Sequence, residues 1–340
     1  MFTRRFALVL MVAALVGSAS SCQKAIEAPK VIDAIDAETI AAYEKLGADY
    51  GAIRPEDPGH LEFIKDPSKF LAGDVPGFRF TSNITHLKHP LPDATVPFSL
   101  QFLGITDAEL KELRGLKNLV SLDVNDTSMT DVGLKQIREF KALSSLDISR
   151  TKVTDVGLKE ISGLKNLSSL YLNNTMVTDA GLKEIKDLNN LSSLAISRTK
   201  VTDIGLKEIS GLKNLSSLYL NNTMVTDAGL KEIKKFENLT SLGLNRTQIS
   251  DAGLKEISKL KNLSSLYLDS TMVTDDGLKE IKELKNLTLL DISRTKVTDI
   301  GLKEISGLKN LSSLFLYYTV VTDAGLKAFK EELPNCYVLP

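Results

Sequence analysis

Hydrophobic residues along this chain follow one rhythm with a period of 24 residues. The unit reads Leu-x-x-Leu-x-Leu-x-x-Thr-x-Val-Thr-Asp-x-Gly-Leu-Lys-x-Ile-x-x-Leu-Lys-Asn. It recurs nine times without a gap up to about Asn335, beginning at Leu119, Leu143, Leu167, Leu191, Leu215, Leu239, Leu263, Leu287 and Leu311. Within a unit the rhythm changes. Leu146 and Ile148 stand two apart, as on one face of a strand. Leu158, Ile161 and Leu164 stand three apart, as on one face of a short helix. Thr154-Asp155 precedes that helix, where a short oxygen-bearing side chain caps free backbone amides. Asn166 closes the unit, and Asn tolerates the turn geometry needed to re-enter a strand. Each unit is predicted to be strand, turn, short helix, turn.

One such unit cannot bury its own apolar side, so neighbours must do so, and a fixed period of this size marks a solenoid. The predicted class is α/β, with a parallel sheet on the concave side of a curved horseshoe and short helices on the convex side. Strands about 4.8 Å apart give a face on the order of 40 Å long. At the front, Thr95-Val-Pro-Phe98-Ser-Leu100 followed by Gly104-Ile105-Thr106-Asp107 keeps the phase as a degenerate first repeat. At the back, Leu333-Pro-Asn-Cys336-Tyr-Val-Leu339 reads as a half-strand cap after a one-residue slip, which would put Cys336 and Leu339 in the two leading Leu positions.

Ahead of the repeats the pattern is less regular. Asp36 to Leu46 predicts a helix, with Ile40, Tyr43 and Leu46 at helical spacing and Gly47 at its end. Ile53 to Pro97 carries Pro and Gly without a period, as an irregular cap or a small functional insertion. The first residues are Arg4-Arg5, an apolar run from Phe6 to Val16, and Gly17-Ser-Ala-Ser-Ser-Cys22. A basic start, a short apolar run and a small-residue exit predict an export signal and not a membrane span. The expected divisions are therefore 1–21 signal peptide, 22–94 N-terminal helix and irregular cap, and 95–340 repeat domain.

Composition narrows the function classes. The chain has 340 residues, 43% hydrophobic, and a formal net charge of −1, so it offers no basic excess for nucleic acid. His60, His86 and His89 have no Cys or carboxylate cluster beside them, and no metal site is expected. Asp147 and Asp291 read as isolated on the sheet, with no partner carboxylate at a catalytic spacing. No catalytic residues and no cofactor are expected. Lys recurs at one convex position from Lys135 to Lys327, as a solvated helix face.

The positions that vary between copies are the informative ones. The fifth place runs Asp123, Asp147, Tyr171, Ala195, Tyr219, Gly243, Tyr267, Asp291, Phe315. The eighth runs Asp126, Arg150, Asn174, Arg198, Asn222, Arg246, Ser270, Arg294, Tyr318. Both project from the sheet or its adjoining loop. An array of Tyr and Arg has the composition of an interaction hot spot. The expected ligand-binding residues are Arg150, Tyr171, Arg198, Tyr219, Arg246, Tyr267, Arg294, Phe315, Tyr317 and Tyr318. Alternation by two units also fits duplication of a 48-residue pair.

The motif Leu-x-x-Leu-x-Leu, met in register in every unit, resembles the leucine-rich-repeat family. The variant, with Thr-Asp-x-Gly-Leu, resembles the cysteine-containing subclass, except that the ninth residue is Thr in all nine copies, Thr127 through Thr319. Cys22 after its small residues resembles a bacterial lipoprotein processing site, although Ala19 stands where Leu is usual; the other reading is ordinary cleavage after Ala19. Gln23, not Asp, follows Cys22, which in a Gram-negative cell implies the outer membrane. Together these resemblances imply an exported, lipid-anchored binding module that holds a protein, or a glycan, on its concave face. The alternatives are a secreted or periplasmic protein, an adaptor-type effector acting on a host protein, an enzyme centred on residues 48–94, and a purely structural envelope protein.

Overall fold

The computed structural model describes residues 35–56, 59–71, 73–81 and 90–340; Cys22, the leader segment, His86 and His89 lie outside them. Helix α1 (Ala37–Lys45) begins where the pattern predicts. The Asp36 carboxylate accepts from the Thr39 amide at 2.8 Å, and Gly47 leaves the helix at φ +87°. The front repeat supplies β4 (Phe98–Phe102), α2 (Asp107–Leu110) and a 3₁₀ turn.

The repeats then deliver strands at a constant interval: β5 (Leu119–Asp123), β6 (Ser145–Asp147), β7 (Ser169–Tyr171), β8 (Ser193–Ala195), β9 (Ser217–Tyr219), β10 (Ser241–Gly243), β11 (Ser265–Tyr267), β12 (Leu289–Asp291) and β13 (Ser313–Phe315). Each pairs in parallel with the next, residue against residue one period on. Seven-residue helices follow them, from α3 (Asp131–Ile137) through α4 (Asp155–Ile161) to α10 (Asp299–Ile305), and the last, α11 (Asp323–Glu332), is longer.

The core lies between sheet and helices. In the second unit Leu143, Leu146, Ile148, Val153, Leu158, Ile161 and Leu164 are all fully buried, and the other units repeat the set except the last, where Val321 and Leu326 are half-buried. Each such side chain stabilises the fold by about 1.5–3 kcal/mol relative to exposure, before the entropy of ordering it is subtracted.

Polar residues lock one unit to the next. The Thr154 hydroxyl accepts from the Val156 amide at 3.2 Å, as a cap should. Asp155 does something the spacing did not reveal: its two oxygens accept from the amide and hydroxyl of Thr178, 2.8 and 2.7 Å away in the following unit. The same fork runs from Asp107–Thr130 to Asp299–Thr322, with Ser250 replacing Thr once. Each carboxylate rests at the N-terminal turn of the next helix, where the backbone dipole favours a negative charge. A Cβ on Gly181 would collide with Asp155 Oδ1, which explains glycine in that place.

The closing Asn lies in the turn expected and also ties that turn to the unit before it. It is not in a left-handed conformation; Asn166 Nδ2 donates to the Lys141 carbonyl at 2.8 Å, and Asn190, Asn214, Asn238, Asn262, Asn286 and Asn310 repeat the bond one unit on. The left-handed residue is at the eighth place, in every unit from Asp126 to Tyr318. The ninth-place Thr hydroxyl then donates to the carbonyl three residues earlier, as Thr151 does to Ile148 at 2.6 Å.

Both ends differ from expectation. β14 (Tyr337–Leu339) pairs with β13 in unbroken register, Leu314 opposite Val338 and Phe315 opposite Leu339. Val338, and not Leu339, fills the second core slot, so there is no one-residue slip. Cys336 is a buried free thiol whose pKa burial pushes up to about 11. At the front, the stretch without a period contributes strands: β1 (Ala48–Glu56), β2 (His60–Ile64) and β3 (Val75–Phe80). β1 pairs antiparallel with both others, and β3 joins β4 in parallel, giving one 14-stranded sheet in the order β14 to β4, then β3, β1, β2.

Candidate binding face and its cover

The N-terminal edge of this sheet curls over its own concave face. Two glycines permit the tight approach: a Cβ on Gly77 would strike the Ser99 backbone and hydroxyl, and one on Gly51 would lie 2.5 Å from the Ile64 carbonyl. On one face of β1 and β3, Ala48, Phe78 and Phe80 join the solenoid core, where Tyr43 stacks on Phe78 with ring centroids 3.9 Å apart. On the opposite face, Ile53 and Leu61 form a second apolar cluster with Tyr171, Ala195 and Tyr219, flanked by Phe63 and Tyr267.

The β1–β2 hairpin therefore sits on β7, β8 and β9. Gly59, at φ +74° in the turn, is so close to the sheet that a Cβ would meet Ala195 Cβ at 2.8 Å. Asn173 Nδ2 donates to the Gly59 carbonyl at 3.1 Å. The Leu61 amide lies beside the Asp147 carboxylate and favours its ionised form.

Two of the residues expected to be exposed are consequently buried. Tyr171 and Tyr219 are 1% and 2% exposed beneath the hairpin, and the Tyr219 hydroxyl shares a hydrogen bond with Ser241 Oγ at 3.0 Å. Phe315 is also buried, at 2%. Tyr267 and Tyr317 are half-buried, and Tyr318 is 70% exposed. Sequence alone gave no sign of the cover, because its contacts join residues far apart in the chain, 114 positions for Gly59 and Asn173.

Asp147 is not isolated. Strand pairing places Asp123 directly opposite it, and both are buried under the hairpin. Asp123 accepts from Gln101 Nε2 at 2.5 Å and from the Asn125 amide and side chain at 3.0 and 2.6 Å. Burial pushes Asp123 above the ordinary carboxylate range, against those bonds and the field of His60. Burial, then the Asp123 charge beside it, pushes Asp147 up to about 8. Gln101 Oε1, Ser121 Oγ and Ser145 Oγ lie buried nearby with no hydrogen-bond partner among the described residues. His60 pairs with Glu56 at 2.9 Å on the hairpin itself.

The arginine row lies along the rim, where strands turn toward helices. Arg150, Arg198, Arg246 and Arg294 are exposed and left-handed, with φ between +53° and +58°. Arg294 bonds Asp269 at 2.7 Å and stacks over the Tyr318 ring at 5.6 Å. Arg150 stands 3.9 Å from Asp126. Arg198 and Arg246 make no ion pair among the described residues. Toward the C-terminal half, Asp291 is pushed up to about 6, chiefly by burial. Among the described residues no group of three or more His, Cys, Asp or Glu side chains gathers as a metal site.

A sequence model described as Leucine Rich repeat matches residues 142–162, 237–258 and 283–306. The fold is a leucine-rich-repeat solenoid. No curated protein gives a significant match. Among solved structures, the chain is similar to a leucine-rich-repeat protein of Leptospira interrogans, at 22% identity over 71% of this chain and 76% of that one, with a TM-score of 0.48. It is similar to an internalin (inlF) of Listeria monocytogenes at 21% identity, covering 66% of this chain and 81% of that one with a TM-score of 0.42. An internalin C2 of the same organism gives 22%, 68%, 81% and 0.43 in the same order.

Proposed function

We propose that this leucine-rich-repeat solenoid is an exported, lipid-anchored binding module that holds a protein ligand, or a glycan, on its concave face and rim. Leucine-rich repeats are typically protein-binding scaffolds, and an extended solenoid face suits a large partner better than a small one. One observation carries the reading. Arg198 and Arg246 are exposed, make no ion pair among the described residues, and occupy a backbone conformation that favours Gly or Asn. The fold gains nothing evident from Arg there, whereas a partner with acidic or carbonyl groups would gain charge-assisted hydrogen bonds.

The hairpin limits the surface available. With Tyr171 and Tyr219 covered, the open candidates are the rim arginines together with Tyr267, Tyr317 and Tyr318 toward the C-terminal end. Attachment through Cys22 would hold the N-terminal end at the membrane and leave that half facing outward.

The test has two arms on the full chain. Binding of purified protein to isolated cell envelopes is compared for wild type, for Arg198→Glu/Arg246→Glu/Arg294→Glu, and for the convex control Lys159→Glu/Lys207→Glu/Lys255→Glu. A loss of tenfold or more confined to the rim variant supports the reading; equal losses, or none, sink the face. In parallel, an acyl mass increment and detergent-phase partitioning, both abolished by Cys22→Ser, are expected; a soluble unmodified product from both chains removes the anchor.

A further inference from the structure

The hairpin that covers Tyr171 and Tyr219 is attached unevenly. Its hinge side is firm: β1 is paired with β3 from Ala48 to Ile53, and β3 with β4 from Gly77 to Phe80. Among the described residues its free side rests on the repeats through side-chain packing and a few polar groups: Ile53 and Leu61, flanked by Phe63, on the tyrosines and Ala195, the Gly59 carbonyl on Asn173, and the Leu61 amide beside Asp147. Beneath it lie two facing carboxyl groups and three buried side-chain oxygens with no partner among the described residues. Apolar contact favours closure, and the polar floor opposes it.

We propose that the β1–β2 hairpin is a proton-controlled latch over an aromatic site formed by Tyr171, Ala195 and Tyr219, closed while the Asp123–Asp147 pair holds a proton and released when the pair loses it. The proposal rests on the concave face being the binding face only for its purpose, not for its mechanics.

The groups facing the pair come from every element around it. Asp123 and Asp147 belong to β5 and β6, Gln101 to β4, and Tyr171 to β7. The hairpin contributes the Leu61 amide and His60, which is paired with Glu56 and favours an ionised Asp123. One proton held by the pair leaves one negative charge for the Asn125 and Gln101 donors. Its loss leaves two negative charges side by side under an apolar cover.

The direction follows from the shift. With the latch closed, Asp147 holds its proton to a pH of about 8; with it open, the carboxyl returns toward the ordinary 3.8. The closed form therefore binds the proton more tightly. Closure is strongest below about pH 4 and weakens as pH rises, by up to about tenfold in the closed-to-open ratio per pH unit, until about pH 8.

The chain contains no Trp, so Tyr219→Trp supplies a unique fluorescent reporter inside the site, with Tyr171→Trp as a second should the first disturb the Ser241 contact. The emission maximum is recorded from pH 5 to 9 while far-UV circular dichroism tracks the repeats. The expected result is buried-type emission at pH 5, a progressive red shift toward pH 8–9, and unchanged circular dichroism. In the Asp123→Asn/Asp147→Asn background the emission should stay buried throughout. Leu61→Asp, which places a charge in the contact, should give exposed emission at every pH. An emission maximum independent of pH overturns the proposal. So does an equal shift in the double Asn variant, or a shift that coincides with loss of circular dichroism. No partner enters this measurement, so its outcome is independent of the envelope-binding test.

Discussion

At the scale of the residue, the repeat is defined less by its leucines than by the polar atoms that tie one copy to the next. Any aliphatic set with the same period would bury a core; the Thr-Asp pair adds direction and register. Asp203 shows the cost of losing it. Its carboxylate accepts from the Thr226 amide and hydroxyl at 2.8 and 2.7 Å, and the Gly229 site leaves room for it. Asp203→Ala leaves both donors unmet in a half-buried cleft, and a loss of about 2–3 kcal/mol is expected, since hydrogen bonds to charged groups contribute about 1.5–3 kcal/mol. Urea denaturation of the full chain measures it, and a loss under half that would mean water replaces the carboxylate freely. Gly229→Ala should be comparably harmful for the converse reason, a Cβ driven into the same oxygen. At the eighth place the same logic runs backwards: Asn174 and Asn222 suit a left-handed turn, whereas Arg198 and Arg246 do not. Their retention there points outward, toward a ligand.

At the scale of the element, the decisive join is β3 to β4, where an antiparallel N-terminal unit is spliced onto a parallel stack. Gly77 makes the splice possible by letting the chain pass against the Ser99 backbone. Gly77→Ala is expected to weaken this join by about 1–3 kcal/mol, the usual range for forced overpacking. Because the repeats are stabilised by their own neighbours, the damage should stay local: amide exchange should quicken in residues 48–64 and 75–80 and remain slow in β8 to β12. Uniform acceleration along the chain would show that the N-terminal strands are not a separable layer. The helices contribute differently. At seven residues they are too short to persist alone, and packing against the sheet, not propensity, holds them.

For the whole molecule, the stack is quasi-one-dimensional in its bonds but not in its shape. Clamp, Asn bond and strand pair all connect adjacent units, so stability approximates a sum of nearest-neighbour terms. Removing Leu239 through Asn286, two units, brings Asp227 opposite Thr298 and preserves the clamp, the Asn bond and the strand pairing, losing the Tyr219–Ser241 and Arg294–Asp269 side-chain bonds described above. That shortened chain should fold cooperatively, with a urea m-value lowered roughly in proportion to the surface lost. A molten or aggregated product would mean that contacts beyond adjacent units matter more than the bonds suggest. The hairpin is one such contact. It joins Gly59 to Asn173 and Leu61 to Asp147, and it converts an open face into one with a covered and an uncovered half.

What the sequence determined by itself was everything governed by period. Strand, helix and core positions follow from apolar spacing, and the capped helix at Ala37–Lys45 from Asp36 and Gly47. These depend on residues near in sequence or displaced by one constant interval. The Asp–Thr fork and the Asn bond were visible as conserved spacing within the chain, but their partners were not, since either residue also has a plausible local role. Tertiary structure alone decided the curl of the N-terminal strands, the burial of Tyr171 and Tyr219, and the cover that Leu61 places over Asp123 and Asp147, which the period already sets side by side. Those depend on how far a sheet bends and on which distant face it reaches, and no periodic pattern encodes a contact made only once.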